Sequence, residues 1–155
     1  MTERQILLVK SSWSYVIVNA EEAGQLFYKH LFEVAPEVRP MFKGDIKEQS
    51  RKLMNMVTYI VTKLQKLDEI MGEVKSLAQR HGKYGVKPHY YQIVGSTLLW
   101  TLKEGLGDKW DSETEEAWTK VYTTLADAMI KMQVETNAAL IPSRKTLAVL
   151  FHGQS

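Results

Sequence analysis

Histidine-based chemistry in this chain can involve four residues: His30, His81, His89 and His152. The sequence contains no cysteine, which excludes disulfides, thiolate zinc sites, iron–sulfur clusters and a cysteine nucleophile. A bound metal ion would therefore need histidine or oxygen ligands.

A second residue, Gln49, gives His81 a possible role. Apolar spacing predicts two helices joined near residue 66, and Gln49 then stands roughly level with His81 across the hairpin. An imidazole can bind a metal axially, and an amide can donate a hydrogen bond to a ligand on that metal, so the pair suits a haem slot. A solvated histidine near a helix end explains His81 equally well on this geometry alone.

The elements that must position these residues are helical. Only four prolines and nine glycines interrupt the chain, and apolar residues recur at steps of three and four. This pattern predicts an all-α protein of about seven helical segments. The predicted helices run from Thr2 to about Val18, from Asn19 to Val34, from Asp45 to about residue 65, from about Ile70 to His81, from Pro88 to Gly105 and from Ser112 to about residue 135, with a turn-rich corner from Ala35 to Phe42.

Helix starts are predicted from polar residues that are followed, three positions later, by Glu or Gln. Such pairs satisfy free backbone N–H groups at a helix N-terminus. The four pairs are Thr2 with Gln5, Asn19 with Glu22, Asp45 with Glu48 and Ser112 with Glu115.

Length, charge and hydropathy predict one domain outside the membrane. The chain has 155 residues and a formal net charge of +2, from 20 Lys and Arg against 18 Asp and Glu. With this balance, the protein has no large electrostatic potential of one sign that would attract nucleic acid or a membrane surface. The start, Met1 to Gln5, lacks the pattern of a secretory signal, and no apolar run approaches the roughly 20 residues of a membrane span. We therefore expect a cytoplasmic protein with no nucleic-acid or membrane partner.

Six segments, in the right order and at matching separations, resemble the globin family. The similarity is closest to single-domain bacterial haemoglobins, the globin domain of flavohaemoglobins and neuroglobin-like globins. It implies a three-over-three sandwich of about seven to eight helices around one haem b, formed by residues 1–135, with residues 136–155 as an extension of unknown role. The segments are Leu26–Phe32, Pro36–Phe42, Gln49–Met54, Gln79–His81 with Tyr84–Val86, His89–Gly95 and Ala117–Tyr122.

The resemblance assigns His81 as the proximal iron ligand of a five-coordinate ferrous haem. Gln49 takes the distal position, where it binds iron poorly but can donate to bound O₂. Tyr28 would be a second donor, so that two hydrogen bonds hold the ligand and release is slow. Alternatively, Tyr28 is a core tyrosine whose hydroxyl donates a hydrogen bond to a carbonyl oxygen. Gly24 is expected to allow close crossing of the second and third helices near Ser50.

Further haem contacts follow from the same resemblance. Lys52 and Arg80 are placed to reach the propionates, although a solvated charge is the more common role of either side chain. Tyr91 would back the proximal histidine, with Gln133, or Glu135 two residues later, in place of the family's glutamate. His30, His89 and His152 have no matching partner and are predicted to be surface or packing residues. The apolar contacts are predicted at Phe42, Leu53, Val57, Leu77, Val86, Val94 and Leu98.

Three functions are compatible with this site. The best supported is reversible binding of O₂ and other diatomic gases such as NO and CO, by a monomer or weak homodimer that is not an enzyme. The alternative is a nitric oxide dioxygenase, or a haem enzyme acting on nitrite or peroxide, served by a separate reductase. A gas sensor is less well supported, because about 20 residues after the last family-like helix are too few for an output module.

Overall fold

Helices dominate the computed structural model, which describes residues 1–42, 44–83 and 87–139 and, of these, the side chains outside 81–83 and 133–139. No strand occurs within the ranges described, so the predicted all-α fold class is confirmed. Four short 3₁₀ helices connect the α-helices: Ile17–Asn19, Pro36–Met41, Leu64–Ile70 and Gly107–Lys109. The α-helices of the described residues are α1 (Glu3–Val16), α2 (Ala20–Val34), α3 (Ile46–Thr62), α4 (Met71–Lys83), α5 (Pro88–Leu106) and α6 (Ser112–Ala139).

Two of the four predicted caps form hydrogen bonds as expected. The Thr2 hydroxyl accepts from the N–H of Gln5 at 3.0 Å, and the Gln5 side chain accepts from the N–H of Thr2, which confirms the capping box of α1. The Asp45 carboxylate accepts from the N–H of Lys47 at 3.0 Å and starts α3. Asn19 occupies the N-cap position of α2, but the structure shows no capping hydrogen bond from its side chain.

The predicted cap at Ser112 is wrong. Ser112 is already the first residue of α6, and the residue before it, Asp111, accepts from the N–H of Thr114 at 2.8 Å. Both residues are good N-caps, and a carboxylate near a helix N-terminus also interacts favourably with the helix dipole.

The chain between α3 and α4 turns near residue 66, as predicted, but α3 is shorter than expected. It ends at Thr62 rather than near residue 65, and a 3₁₀ helix follows in which Lys66 departs from helical geometry, with φ −136° and ψ 50°. At the end of α5, Gly107 adopts φ 54°, a conformation that favours glycine.

Close contact between α2 and α3 depends on Gly24. A Cβ atom at Gly24 would lie 2.7 Å from the Cβ of Ser50, which is 1% exposed. The predicted close crossing at these two residues is confirmed. Elsewhere α4 packs on α6, α1 packs on α6 and α5, and α2 packs on α5. The two arms of the α3–α4 hairpin therefore lie against different helices.

Two buried tryptophans join α1, α3 and α6 in the main core. The ring centres of Trp13 and Trp118 are 5.8 Å apart. The Trp13 indole N–H donates to Thr58 Oγ1 at 3.0 Å, and that of Trp118 donates to Ser12 Oγ at 2.8 Å. Each indole thus satisfies its polar group inside the core. Among the described helices, none is long and apolar enough to span a membrane.

Candidate functional site

An apolar cavity of about 190 Å³ lies between α3 and α4. Because α3 packs mainly on α2 and α4 mainly on α6, the hairpin arms leave this space between them, and α5 and α6 close its far side. Its lining residues are Phe27, Leu53, Met56, Val57, Ile60, Val61, Val74, Leu77, Tyr90, Tyr91, Val94, Leu98, Trp118, Val121, Tyr122, Leu125, Ala126 and Met129.

Six of the predicted site residues line this one cavity. They come from three consecutive helices, α3, α4 and α5, which the fold arranges around one space. These residues are Leu53, Val57, Leu77, Tyr91, Val94 and Leu98.

The wall formed by α6 was missed as part of the site. Trp118, Val121, Tyr122, Leu125 and Met129 recur at helical spacing, and this spacing predicts that they are buried. That signal does not distinguish a residue that faces a cavity from one that faces the core, because the difference depends on the neighbouring helices.

Other predicted site residues do not line the cavity. Phe42 is half-buried and packs on Tyr28 and Phe32, with ring centres 5.2 and 5.6 Å away. Lys52 and Arg80 are exposed, and Lys52 Nζ lies 3.9 Å from a carboxylate oxygen of Glu48.

Four further predictions lie outside the described residues. They concern Val86 and the side chains of His81, Gln133 and Glu135. The backbone places His81 near the C-terminal end of α4.

The two predicted distal donors are neighbours. The Tyr28 hydroxyl donates to the backbone carbonyl of Gln49 over a long 3.5 Å. Neither Tyr28 nor Gln49 lines the cavity, although Phe27, next to Tyr28, and Leu53, one turn after Gln49, do. Tyr28 is 4% exposed, and burial raises the pKa of its hydroxyl to about 12. The hydroxyl therefore stays protonated, and able to donate, at neutral pH.

The opposite side of the cavity contains a second buried tyrosine, Tyr91, at 7% exposure. Burial raises the pKa of its hydroxyl to about 12. The Tyr122 hydroxyl donates to the Tyr91 carbonyl at 2.5 Å, and Gly95 leaves room for the Tyr122 ring, because a Cβ there would come within 2.8 Å of Cδ2. These contacts tie α5 to α6 beside the cavity.

The chemistry of the lining suits a largely apolar ligand. Its polar groups are the hydroxyls of Tyr90, Tyr91 and Tyr122 and the indole N–H of Trp118, and no charged side chain lines it in the described part of the chain. Hydrocarbon walls exclude water and gain free energy by covering an apolar ligand.

Comparisons with known proteins agree on one family. The sequence matches the globin family over residues 25–129. A flavohemoprotein of Oceanobacillus iheyensis is 35% identical over 131 residues, which are 83% of this chain and 32% of that protein. Leghemoglobin of Canavalia lineata is 31% identical over 140 residues, which are 84% of this chain and 94% of that protein. This chain thus spans about a third of the flavohemoprotein's length.

Solved structures show the same similarity. The structure of a bacterial globin from Campylobacter jejuni superposes with a TM-score of 0.78 at 28% identity, covering 88% of this chain and 99% of the other. The likeness therefore extends over almost the whole described fold.

Proposed function

Because this chain belongs to the globin family, we propose that it is a haem protein that reversibly binds O₂ and other diatomic gases. The resemblance predicted from its sequence segments is confirmed, and its relatives include haem-binding globins. Within the proposal, the haem is haem b, His81 is the iron ligand, and Tyr28 and Gln49 donate to the gas.

The observation that carries the proposal is the apolar cavity between the arms of the α3–α4 hairpin. Leu53 and Val57 face it from α3, and Leu77 faces it from α4, the helix that contains His81. Such walls exclude water and favour a flat apolar cofactor. When bound, haem supplies an iron atom with an open position for a diatomic gas.

Side chains of this chain then determine how long the gas stays. The Tyr28 hydroxyl is protonated at neutral pH and lies within 3.5 Å of the Gln49 backbone, and its neighbour Phe27 lines the cavity. Rotating the Tyr28 hydroxyl from this long, weak hydrogen bond toward a ligand would cost little free energy. The Gln49 amide supplies a second donor. Lys52 and Arg80 are exposed and are proposed to meet the haem propionates at the protein surface.

A nitric oxide dioxygenase that uses a separate reductase is the second candidate. One observation favours it: the flavohemoprotein of Oceanobacillus iheyensis is similar to this chain over 32% of its own length, and the name of that protein refers to a flavin as well as a haem. Under this proposal, a separate reductase would supply the electrons that return the haem iron to the ferrous state after each turnover. Rapid mixing of the O₂-saturated protein with NO, with and without a cellular reductase, separates the two functions. Sustained turnover indicates the enzyme, and a single stoichiometric conversion indicates the carrier.

Removing the imidazole of His81 tests the haem site. We expect His81→Ala to lose haem binding, measured as Soret absorption after haem titration and gel filtration. His89→Ala is the matched control, because His89 is exposed and outside the cavity lining. Equal haem retention by both variants would contradict the proposal.

Removing the distal donors tests the gas site. Tyr28→Phe and Gln49→Leu should each raise the O₂ dissociation rate by about 2- to 10-fold, the rate equivalent of one hydrogen bond worth about 0.5–1.5 kcal/mol. Tyr15→Phe is the control, because Tyr15 is 54% exposed on α1. Unchanged rates in both distal variants would show that neither residue donates to the gas.

A further inference from the structure

An exposed arginine in the corner, Arg39, contacts two aromatic residues that flank Tyr28. Its guanidinium carbon lies 5.0 Å from the centre of the Phe32 ring, a cation–π distance. Its Nη1 also donates to the carbonyl oxygen of Phe42 at 3.2 Å. In return, the N–H of Phe42 donates to the carbonyl oxygen of Arg39 at 3.1 Å. Arg39 therefore joins the end of α2 to the residue that closes the corner.

The rings of Phe32 and Phe42 both lie against the Tyr28 ring, as does the ring of Phe27 at 5.0 Å. The Phe42 ring meets the Tyr28 ring edge to face, at 5.2 Å and 73°, and the Phe32 ring lies 5.9 Å from the Tyr28 ring. Phe32 and Phe42 also contact each other at 5.6 Å. Aromatic pairs have preferred separations and tilts, so a shift of Phe42 changes the packing of Tyr28.

The Tyr28 hydroxyl has only a weak restraint of its own. Its bond to the Gln49 carbonyl is 3.5 Å long, whereas O–H···O bonds are usually about 2.5–3.0 Å. The direction of the hydroxyl is therefore determined mainly by the packing of its ring. We infer that Arg39 is a positioning residue, which fixes the direction of the Tyr28 hydroxyl through Phe32 and Phe42. The inference rests on the proposed role of Tyr28 as a donor to the gas.

The test compares Arg39→Met, alone and combined with Tyr28→Phe, in the haem-loaded full chain. Methionine keeps an apolar stem of similar reach but removes the cation and the hydrogen bond to Phe42. Arg4→Met is the control, because Arg4 is an exposed arginine that pairs with Glu113, away from the corner. Two quantities are measured: the O₂ dissociation rate, and the NMR resonances of the Tyr28 ring in the diamagnetic CO complex.

Arg39→Met should raise the O₂ dissociation rate by about 3-fold, and the Tyr28→Phe background should abolish that difference. The Tyr28 resonances should shift in Arg39→Met and stay in place in Arg4→Met. A rate change that persists without the Tyr28 hydroxyl, or unshifted Tyr28 resonances, would overturn the inference. If Tyr28→Phe alone leaves the rate unchanged, the proposed donor role fails, and the Tyr28 resonances by themselves decide whether Arg39 positions the ring.

Discussion

Replacing Gly24 by alanine should push α2 away from α3 and destabilise the protein. The new Cβ would lie 2.7 Å from Ser50 Cβ and 3.2 Å from the Cα and carbonyl oxygen of Ser50. These atoms belong to the backbone or are attached directly to it, so no side-chain rotation removes the overlap. Ser50 is further fixed by its hydroxyl, which donates to the Ile46 carbonyl at 2.8 Å. The helices themselves must therefore move.

The magnitude follows from two opposing effects. Overfilling a well-packed contact typically costs about 1–3 kcal/mol, whereas alanine in place of glycine inside a helix gains up to about 1 kcal/mol. We expect a net loss of about 1–2 kcal/mol in the free energy of unfolding. For a chain of this length, that loss lowers the melting temperature by about 2–8 °C. Gly72→Ala is the matched control, because no atom lies within 4 Å of a Cβ there, and it should be neutral or stabilising.

Urea denaturation of the haem-free protein, followed by far-UV circular dichroism, measures the difference without a contribution from haem binding. Adding Ser50→Gly to the Gly24→Ala variant removes the closest contact and should recover part of the lost stability. A Gly24→Ala protein that is as stable as Gly72→Ala would refute the reasoning, because only the alanine at position 24 overlaps a neighbouring helix. The O₂ dissociation rate should change as well, since α2 and α3 contain the two proposed donors.

Three further predictions concern titration, capping and the wall of the cavity. Since burial raises the pKa of Tyr28 to about 12, the folded chain keeps a proton that the unfolded chain loses near pH 10. The free energy of unfolding should therefore fall between about pH 10 and 12, and Tyr28→Phe should reduce that fall in urea titrations, whereas an unchanged slope would contradict this assignment. Asp111→Ala should lower the melting temperature more than Ser112→Ala, because the Asp111 carboxylate caps α6; the reverse order would restore Ser112 as the cap. Gly95→Ala should speed haem loss to an acceptor apoprotein, because the new Cβ would overlap the Tyr122 ring, and an unchanged rate would show that the ring can move aside.

Short-range patterns in the sequence predicted most of the helices and two of their caps. Thr2 and Asp45 form the expected hydrogen bonds because a cap depends on residues only two or three positions away. The predicted cap of α6 was wrong by one residue because the same local signal occurs at two neighbouring positions. Asp111 and Ser112 are adjacent good caps, and local spacing alone does not select between them.

Long-range packing accounts for what the sequence did not predict. The Trp118 indole donates to Ser12, 106 residues away, and that of Trp13 donates to Thr58, 45 residues away. Neither pair has a local signal. The predicted haem contacts on α3, α4 and α5 came from the resemblance to a known family, whereas the lining residues of α6 were predicted to be buried but not to contact the haem.

The position of the cavity follows from the packing of α3 and α4 on other helices. Consecutive antiparallel helices normally pack on each other, and an apolar hairpin would close its own gap. In this chain, small residues instead allow α3 to pack on α2 and α4 to pack on α6. Gly24 lets α3 lie against α2 at Ser50, and Ala78, fully buried on α4, shares an apolar cluster with Ala126 of α6. Because a Cβ at Gly24 would overlap Ser50, enlarging this residue should move α3 toward the cavity and narrow the space between the arms, and haem binding should then weaken.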